Sequence, residues 1–157
     1  MKIAVISDTH GKTHNYHLLI KYTDGCDMIA HLGDYVSDAA DIAERTGKEV
    51  VSVKGNGDYY TNVPLERIIN INGEKLLLLH GHSAGVKRGL AQLAARAKEC
   101  GVQTALYGHT HIPAIDRVGG ILLINPGSLG EPRMLRRASL AVIEIRDGSI
   151  KPMIIEL

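Results

Sequence analysis

Short apolar runs recur along the chain, and turn-forming or polar residues bound most of them. Three runs in the first third are short and rich in β-branched residues, which predicts buried strands. They are Lys2–Ser7, Asp27–Leu32 and Glu49–Val53. Helical segments at Asn15–Tyr22 and Ser37–Arg45 separate them, the second with Ser37 as its cap and Gly47 just beyond its end. This order predicts parallel strands joined by right-handed crossovers.

The second half of the chain has a different pattern, dominated by hairpins. Asn72-Gly73 separates the strands Arg67–Ile71 and Glu74–Leu79 and is a strong hairpin signal. Two further hairpins, a helix and one more strand are predicted. They are Ala114–Val118 with Ile121–Asn125, Ser139–Arg146 with Ser149–Glu156, the helix Gly85–Cys100 and the strand Thr104–Tyr107. Parallel and antiparallel strands together predict an α/β (α+β) fold with two mixed sheets facing each other and helices outside.

Composition and charge narrow the class of protein. The 157 residues are expected to form one domain spanning 1–157. A net charge of +1 gives no strong nucleic-acid signal, and no apolar stretch reaches the roughly 18 residues of a membrane span. The N-terminus lacks a signal-peptide layout, and the two cysteines have no metal-ligand spacing, so we expect a cytoplasmic protein. Exposed sheet edges would favour a homo-oligomer such as a dimer.

Polar side chains that can bind metal ions follow most of the predicted strands. They form five clusters: S-D-T-H, L-G-D, K-G-N-G-D, L-H-G-H and Y-G-H-T-H. The candidate ligands are Asp8, His10, Asp34, Asn56, His80, His109 and His111. Ligands collect at the carboxyl ends of strands in α/β sheets, so we expect these side chains to converge on one site.

The spacing and chemistry of the candidate ligands indicate two metal ions. Asp8 lies two residues before His10, and the same spacing separates His109 from His111. Side chains two apart point the same way in an extended segment. Carboxylate, imidazole and amide ligands suit Mn²⁺, Fe²⁺ or Zn²⁺, and the absence of thiolates argues against a structural zinc site. Seven ligands exceed the needs of one tetrahedral ion and fit two ions bridged by a carboxylate.

Charge then indicates the substrate. Two dications facing Asp8, Asp34 and one hydroxide leave a net charge of about +1, which attracts a phosphate group. Paired metal ions lower the pKa of bridging water and clamp the attacking and leaving oxygens. The pattern therefore predicts hydrolysis of a small phosphoester, with hydroxide attacking phosphorus in line.

The ordered motifs D-x-H, G-D, G-N-x-D, H-G-H and G-H-T-H resemble those of the calcineurin-like metallophosphoesterase superfamily. The short chain and the I-N-P-G-S segment (Ile124–Ser128) resemble its small prokaryotic phosphodiesterase branch. The resemblance implies a four-layer αββα sandwich and two divalent ions, with manganese first and iron, nickel or zinc as alternatives. It implies that Asp8, His10 and His111 hold one ion, that Asn56, His80 and His109 hold the other, and that Asp34 bridges them. It also implies that Asn56 touches a substrate oxygen.

One departure from the family pattern bears on the reaction. Many family phosphatases have histidine after the motif asparagine, as a general acid, and this chain has Gly57 there. We therefore expect a phosphodiesterase, a hydrolase of phosphoric ester bonds, rather than a monoesterase acting on poor leaving groups. His82 is a candidate replacement acid, with loop packing as the alternative. Arg133 is a candidate substrate-binding residue within a basic group that also includes Arg136 and Arg137, with a solvated face as the alternative.

Several other polar residues are expected to support the site rather than bind metal. Asp58 would stabilise the G-N-G-D turn or orient a ligand, and Asn125 and Ser128 would form hydrogen bonds beneath the site. His31, inside an apolar strand, would be a hydrogen-bonded core histidine. A rival reading is a non-catalytic metal-binding scaffold like the retromer subunit of the same fold, but that subunit has lost ligands, and the complete set here favours an enzyme.

Overall fold

The computed structural model describes residues 1–134 and 136–157, apart from the side chain of Thr13. Within these residues, ten strands and three α-helices follow one another. The strands are β1 (Lys2–Ile6), β2 (Met28–His31), β3 (Glu49–Ser52), β4 (Glu66–Ile71), β5 (Glu74–Leu79), β6 (Thr104–Leu106), β7 (Pro113–Val118), β8 (Ile121–Pro126), β9 (Ser139–Arg146) and β10 (Ser149–Glu156). The helices are α1 (Tyr16–Thr23), α2 (Asp38–Thr46) and α3 (Ala91–Glu99).

The strands form two mixed five-stranded sheets. The first has the order β10-β9-β1-β2-β3, in which β1, β2 and β3 are parallel. The second has the order β4-β5-β6-β8-β7, in which β5, β6 and β8 are parallel. The predicted hairpins β4-β5, β7-β8 and β9-β10 are all antiparallel neighbours. The second sheet thus has a parallel centre and an antiparallel strand at each edge, whereas the first has β9 and β10 antiparallel to their neighbours on one side and the parallel strand β3 at the other edge.

The apolar side chains pack in three layers of core. Ile3 and Val5 face Leu76 and Leu78 of the other sheet in the central layer. Alternate residues such as Ile6 pack against α1 and α2, while Leu77, Leu79 and their neighbours pack against α3. Because both faces of each sheet are covered, the central strands are apolar at nearly every position. The order helix, sheet, sheet, helix confirms the expected four-layer αββα sandwich.

The third helix is shorter than the sequence predicted. It was expected to begin at Gly85, but it begins at Ala91, and residues 81–90 form successive turns. Gly85 and Gly89 have φ angles of 61° and 148°, which no α-helical residue adopts. The predicted Ser37 cap is also wrong in detail, because Ser37 makes no side-chain capping bond to α2.

The described helices contain eight or nine residues each. None of them has the length and apolar character that a membrane-spanning helix requires.

Candidate metal centre

The carboxyl ends of parallel strands from both sheets meet at one end of the sandwich. Asp8 and His10 follow β1, and Asp34 follows β2. From the second sheet, His80 follows β5 and His109 follows β6. Backbone bonds join these loops, with Asp8 N donating to Gly33 O at 3.0 Å and Gly108 N donating to His80 O at 3.0 Å. The two sheets therefore position the polar clusters jointly.

The backbone at the candidate ligands is strained. Asp8, His10, Asp34, His109 and His111 have φ angles between 50° and 69°. Non-glycine residues rarely adopt this left-handed conformation, and each instance costs about 1–3 kcal/mol. The expectation that each i, i+2 pair lies in an extended segment is therefore wrong, and left-handed turns bring the side chains together instead. Such strain, repeated at five candidate ligands, is typical of functional sites.

Asp8 and His111 form the buried part of one cluster. Asp8 Oδ1 lies 3.1 Å from His111 Nε2, and Asp8 Oδ2 accepts a hydrogen bond from the His109 backbone at 3.1 Å. Burial opposes ionisation of Asp8, but the bond to His111 and the nearby His80 outweigh it and lower the pKa of this carboxyl. Burial likewise opposes a charged His111 ring, and Asp8 outweighs it and raises the pKa of His111. The potential ligand atoms of Asp8, His10, Asp34 and His111 all lie within 4.8 Å of one another.

Asp34 joins this cluster to two further histidines. Its Oδ2 lies 3.9 Å from His10 Nε2 and 3.5 Å from His80 Nε2. Its Oδ1 accepts a hydrogen bond from the Gly57 backbone at 2.7 Å, which orients the carboxylate. His80 Nε2 in turn lies 3.1 Å from His109 Nδ1. Asp34 therefore lies between two groups of imidazoles.

Backbone carbonyls orient two of the imidazole rings. His80 Nδ1 donates to Leu32 O at 2.8 Å, and His111 Nδ1 contacts Glu131 O at 2.5 Å. Each contact places a proton on Nδ1, so Nε2 is the ring nitrogen that faces the carboxylates. Burial and the neighbouring His80 lower the pKa of His109 to about 4, so its ring is neutral at pH 7. Neutral imidazole is the form that binds metal.

Two atoms in the cluster show that the residues fit a cation. Both are buried side-chain atoms, Asp8 Oδ1 and His10 Nε2. Apart from the 3.1 Å contact between Asp8 Oδ1 and His111 Nε2, neither has a hydrogen-bond partner among the described residues, which is costly unless another group satisfies them. The 3.1 Å between His80 Nε2 and His109 Nδ1 matches two adjacent ligands of one ion with metal–nitrogen distances of about 2.1 Å. The donor set is oxygen and imidazole nitrogen, which suits a divalent transition metal.

Two glycines allow the backbone to approach the carboxylates. A Cβ on Gly55 would overlap Asp34 Oδ1 and lie 2.6 Å from the Asp34 backbone nitrogen. A Cβ on Gly108 would overlap the Ser7 hydroxyl and lie 2.9 Å from Asp8 Oδ2. Any larger residue at either position would displace a candidate ligand.

The remaining predicted site residues lie at the rim. Asn56 is exposed in the loop after β3, between Gly55 and Gly57, both of which approach Asp34. His82 is half-buried, with its ring 5.4 Å from that of His80, and burial and His80 lower its pKa. Arg133 is exposed, and its charge opposes protonation of His111. The structure places all three near the centre without assigning them a role.

Two acidic residues have contacts that their positions in the chain do not reveal. The backbone carbonyl of Glu131 contacts His111 Nδ1, and the side-chain Oε2 of Glu131 lies 3.9 Å from His10 Nε2. Asp58 Oδ1 accepts backbone hydrogen bonds from Tyr35 and Val36 at 2.7 and 2.8 Å, and its Oδ2 accepts one from Gly55 at 2.8 Å. Asp58 was expected to stabilise the G-N-G-D turn, and it also ties that turn to the Asp34 loop. For Glu131 the sequence contains no signal beyond its place after I-N-P-G-S.

The expected supporting residues lie beneath the site. Asn125 donates to the Gly108 carbonyl and the Thr110 hydroxyl, both at 3.0 Å. Ser128 donates to the Asp8 carbonyl at 2.8 Å. His31 is fully buried and is bonded to the Thr9 hydroxyl and the Gly33 backbone. All three make the hydrogen bonds expected of structural residues.

Comparison with known proteins identifies the family. The model of the calcineurin-like phosphoesterase superfamily domain matches residues 1–148, and the chain belongs to this superfamily. The probable metallophosphoesterase YsnB of Bacillus subtilis is 31% identical over 150 residues, covering 95% of this chain and 87% of that protein. Phosphodiesterase YfcE of Escherichia coli K12 is 27% identical, covering 96% and 95%. The crystal structure of a predicted phosphoesterase from Streptococcus pneumoniae TIGR4 has a TM-score of 0.82 at 30% identity, covering 99% of this chain and 88% of that one.

The family match confirms the resemblance drawn from the five motifs. The chain is a calcineurin-like metallophosphoesterase by family, with a candidate divalent metal site at Asp8, His10, Asp34 and His111.

Proposed function

We propose that this protein is a phosphodiesterase that uses two divalent metal ions. The observation that carries the proposal is the position of Asp34 Oδ2, which lies 3.9 Å from His10 Nε2 and 3.5 Å from His80 Nε2. Asp8, His10 and His111 would hold one ion. Asn56, His80 and His109 would hold the other, with Asp34 shared between them. Manganese is the first candidate metal for this set of oxygen and imidazole ligands.

Bound metal ions would supply a hydroxide nucleophile at neutral pH and neutralise charge on the phosphoryl oxygens. The protein's own groups prepare the site for this chemistry. The Leu32 and Glu131 carbonyls hold His80 and His111 in the tautomer that presents Nε2. The Gly57 backbone holds the Asp34 carboxylate in one orientation. Asn56, on the exposed rim, is free to present its amide nitrogen to a phosphate oxygen while its carbonyl oxygen ligates.

The proposed preference for diesters rests on two residues near the candidate metal ligands, Gly57 and His82. Gly57 offers no side chain to protonate a departing oxygen. The lowered pKa of His82 leaves its ring neutral at pH 7, so it is a poor proton donor. Substrates that leave as stabilised anions need no such donor. Exposed Arg133 is a candidate to contact the substrate phosphate, because guanidinium binds phosphate in a bidentate manner.

The test compares bis(4-nitrophenyl) phosphate with 4-nitrophenyl phosphate in the presence of Mn²⁺. We expect the diester to be hydrolysed faster. Asp34→Ala should abolish turnover and reduce bound manganese to one ion or none per chain. Asp41→Ala is the matched control, because Asp41 is an exposed carboxylate paired with Arg45 on α2.

Each component of the proposal has its own contrary result. Equal rates, or faster hydrolysis of the monoester, would contradict the argument from Gly57. Full activity of the Asp34→Ala variant would remove the shared-ligand arrangement. Metal binding without turnover of any phosphoester would instead support a non-catalytic scaffold.

A further inference from the structure

A cleft of about 360 Å³ opens beside the metal centre. Its walls are the loop after β2, beginning at Tyr35, and the loop after β3, from Gly57 to Thr61. Tyr35 directly follows Asp34, and the Gly57 backbone binds the Asp34 carboxylate. The cleft and the candidate metal centre therefore share one wall, and a group attached to a bound phosphate can extend into the cleft.

The walls carry three exposed tyrosines. The chain has six tyrosines and no phenylalanine or tryptophan. Tyr35, Tyr59 and Tyr60 are 45%, 77% and fully exposed, whereas Tyr16 and Tyr107 are buried. A protein with so few aromatic residues thus places half of them, with rings open to solvent, at one cleft beside its site. Exposed aromatic clusters of this kind are typical of binding surfaces.

The cleft has few acidic or basic groups, and its walls are held in place. Among the described residues that line it, Asp58 is the one acidic or basic side chain, and both of its oxygens already accept backbone hydrogen bonds. Those bonds join the Tyr35 loop to the Gly55 turn, so the two walls are braced against each other. The ring of Tyr35 also lies over Gly11, with its centroid 5.5 Å from that of His10. A second phosphate would find no cationic partner among the described residues of these walls.

The backbone of Tyr60 supplies an independent sign of function. Its φ angle is 58°, a conformation that is unfavourable for a bulky residue. Because the side chain is fully exposed, no packing compensates for this cost within the described residues. Backbone strain that side-chain packing does not compensate is characteristic of positions that contact ligands.

We propose that this tyrosine cleft, formed by Tyr35, Tyr59 and Tyr60, binds a flat aromatic ring carried by the substrate phosphate, either an aryl group or a nucleobase. The inference rests on the proposed phosphodiesterase function and specifies its substrate class. The tyrosines contact the organic substituent, and the metal centre binds the phosphate. Stacking on exposed rings favours an aromatic substituent over an aliphatic one of similar charge.

Two matched pairs of phosphates test the proposal by calorimetric titration of the manganese-loaded protein. The first pair is phenyl phosphate and methyl phosphate, and the second is uridine 5′-phosphate and ribose 5-phosphate. Within each pair the phosphate is the same and the aromatic ring is the difference. We expect at least one aromatic ligand to bind about tenfold more tightly than its partner, as ring stacking on aromatic side chains gives.

The variant Tyr59→Ser/Tyr60→Asn should bring that ratio to within about threefold of one, because stacking is the source of the preference. Asparagine is chosen at position 60 because it tolerates a positive φ. Tyr59→Phe/Tyr60→Phe should keep the ratio, since the rings remain. Met153→Ser is the control, because Met153 is an exposed apolar residue on the edge strand β10, and it should keep both the ratio and the activity.

Equal binding within both pairs, or a ratio that survives in Tyr59→Ser/Tyr60→Asn, would overturn the proposal. Hydrolysis of bis(4-nitrophenyl) phosphate by the wild type separates this outcome from failure of the proposed function. Turnover without an aromatic preference in binding would contradict the role of the tyrosine cleft alone. Absence of turnover together with absence of methyl phosphate binding would contradict the proposed phosphodiesterase function as well.

Discussion

Asp58 offers a measurable link between the stability of the loops and metal binding. Its two oxygens accept backbone hydrogen bonds from Tyr35, Val36 and Gly55 at 2.7 to 2.8 Å. Tyr35 directly follows the candidate ligand Asp34, and Gly55 precedes the candidate ligand Asn56. Replacement of Asp58 should therefore loosen two ligand-bearing loops together.

The structure sets the expected size of the effect. Asp58→Asn keeps one oxygen acceptor but turns its amide NH₂ group toward the Gly55 N–H. One hydrogen bond to a charged acceptor is then lost, which should lower the free energy of unfolding by about 1.5 kcal/mol. Asp58→Ala loses all three hydrogen bonds, and because the turn is partly open to water we expect the free energy of unfolding to fall by about 3 kcal/mol rather than by three times the single-bond value. Since residues that orient ligands typically contribute about 10- to 100-fold to metal affinity, manganese binding should weaken by that factor in Asp58→Ala.

Urea unfolding in the presence of a chelator measures the free energy of unfolding, and calorimetric titration with Mn²⁺ measures affinity. Asp27→Ala is the control, because the Asp27 carboxylate also accepts a backbone hydrogen bond, from Lys2 at 2.6 Å, at the start of β1 and away from the site. The control should lose about 1 kcal/mol or less and keep its manganese affinity. If Asp58→Ala unfolds within 0.5 kcal/mol of the wild type, roughly the scatter of surface substitutions, and binds manganese equally well, then the turn conformations alone hold the ligand loops.

Three further predictions concern pH, packing and metal. Burial lowers the pKa of His31 to about 4, so its neutral form stabilises the fold fully above pH 6.5, and that contribution is lost as the pH falls toward 4. In the presence of a chelator, the free energy of unfolding of the wild type should fall by about 2.5 kcal/mol more than that of His31→Gln between about pH 7.5 and 4.5. If urea unfolding shows the same pH dependence for both proteins, the lowered pKa of His31 is contradicted. Gly55→Ala should reduce both the melting temperature and manganese binding, because its Cβ overlaps Asp34. Gly25→Ala is the control, because the space around its Cβ is open, and it should change neither property appreciably. Equal melting temperatures and equal manganese binding in the two variants would refute the packing argument. Manganese at about 100 times its dissociation constant should raise the free energy of unfolding by about 2.7 kcal/mol for each ion bound. An equal gain in Asp34→Ala would show that the ions bind elsewhere.

Some bounds of the strands and helices can be predicted from the sequence, and others cannot. The strands β9 and β10 have the predicted bounds, and the hairpin turns fall at the predicted dipeptides. The strands β1, β2 and β3 lose one or two terminal residues relative to their apolar runs. The residues lost at the carboxyl ends, Ser7, Leu32 and Val53, belong to the loops that carry the candidate ligands. Hydrophobicity does not reveal where a buried strand ends and a buried loop begins. The start of α3 was misplaced because helical periodicity does not report the positive φ angles of Gly85 and Gly89.

The candidate metal site also has features that the sequence predicts and features that only the tertiary structure shows. Its ligand types, their order and their place after parallel strands follow from the sequence, because strand topology dictates that carboxyl ends meet at one edge. The left-handed turns at Asp8 and His109 do not follow, since no local signal predicts a strained non-glycine residue. The approach of Glu131 to His10 and the bonds from Asp58 to Tyr35 also depend on loops distant in sequence.

The tyrosine cleft is likewise a product of tertiary structure. Tyr35 and Tyr59 lie in loops after different strands, and nothing in either segment shows that they face one cleft. The sequence therefore determined the fold class and the types of the candidate metal ligands, because both depend on residue type and on periodicity along the chain. The packing of the two sheets decided which loops meet, and with them the strained ligands, the bracing carboxylate and the aromatic surface beside the metal centre. The reason is that contacts between segments far apart in the chain leave no periodic pattern in either segment.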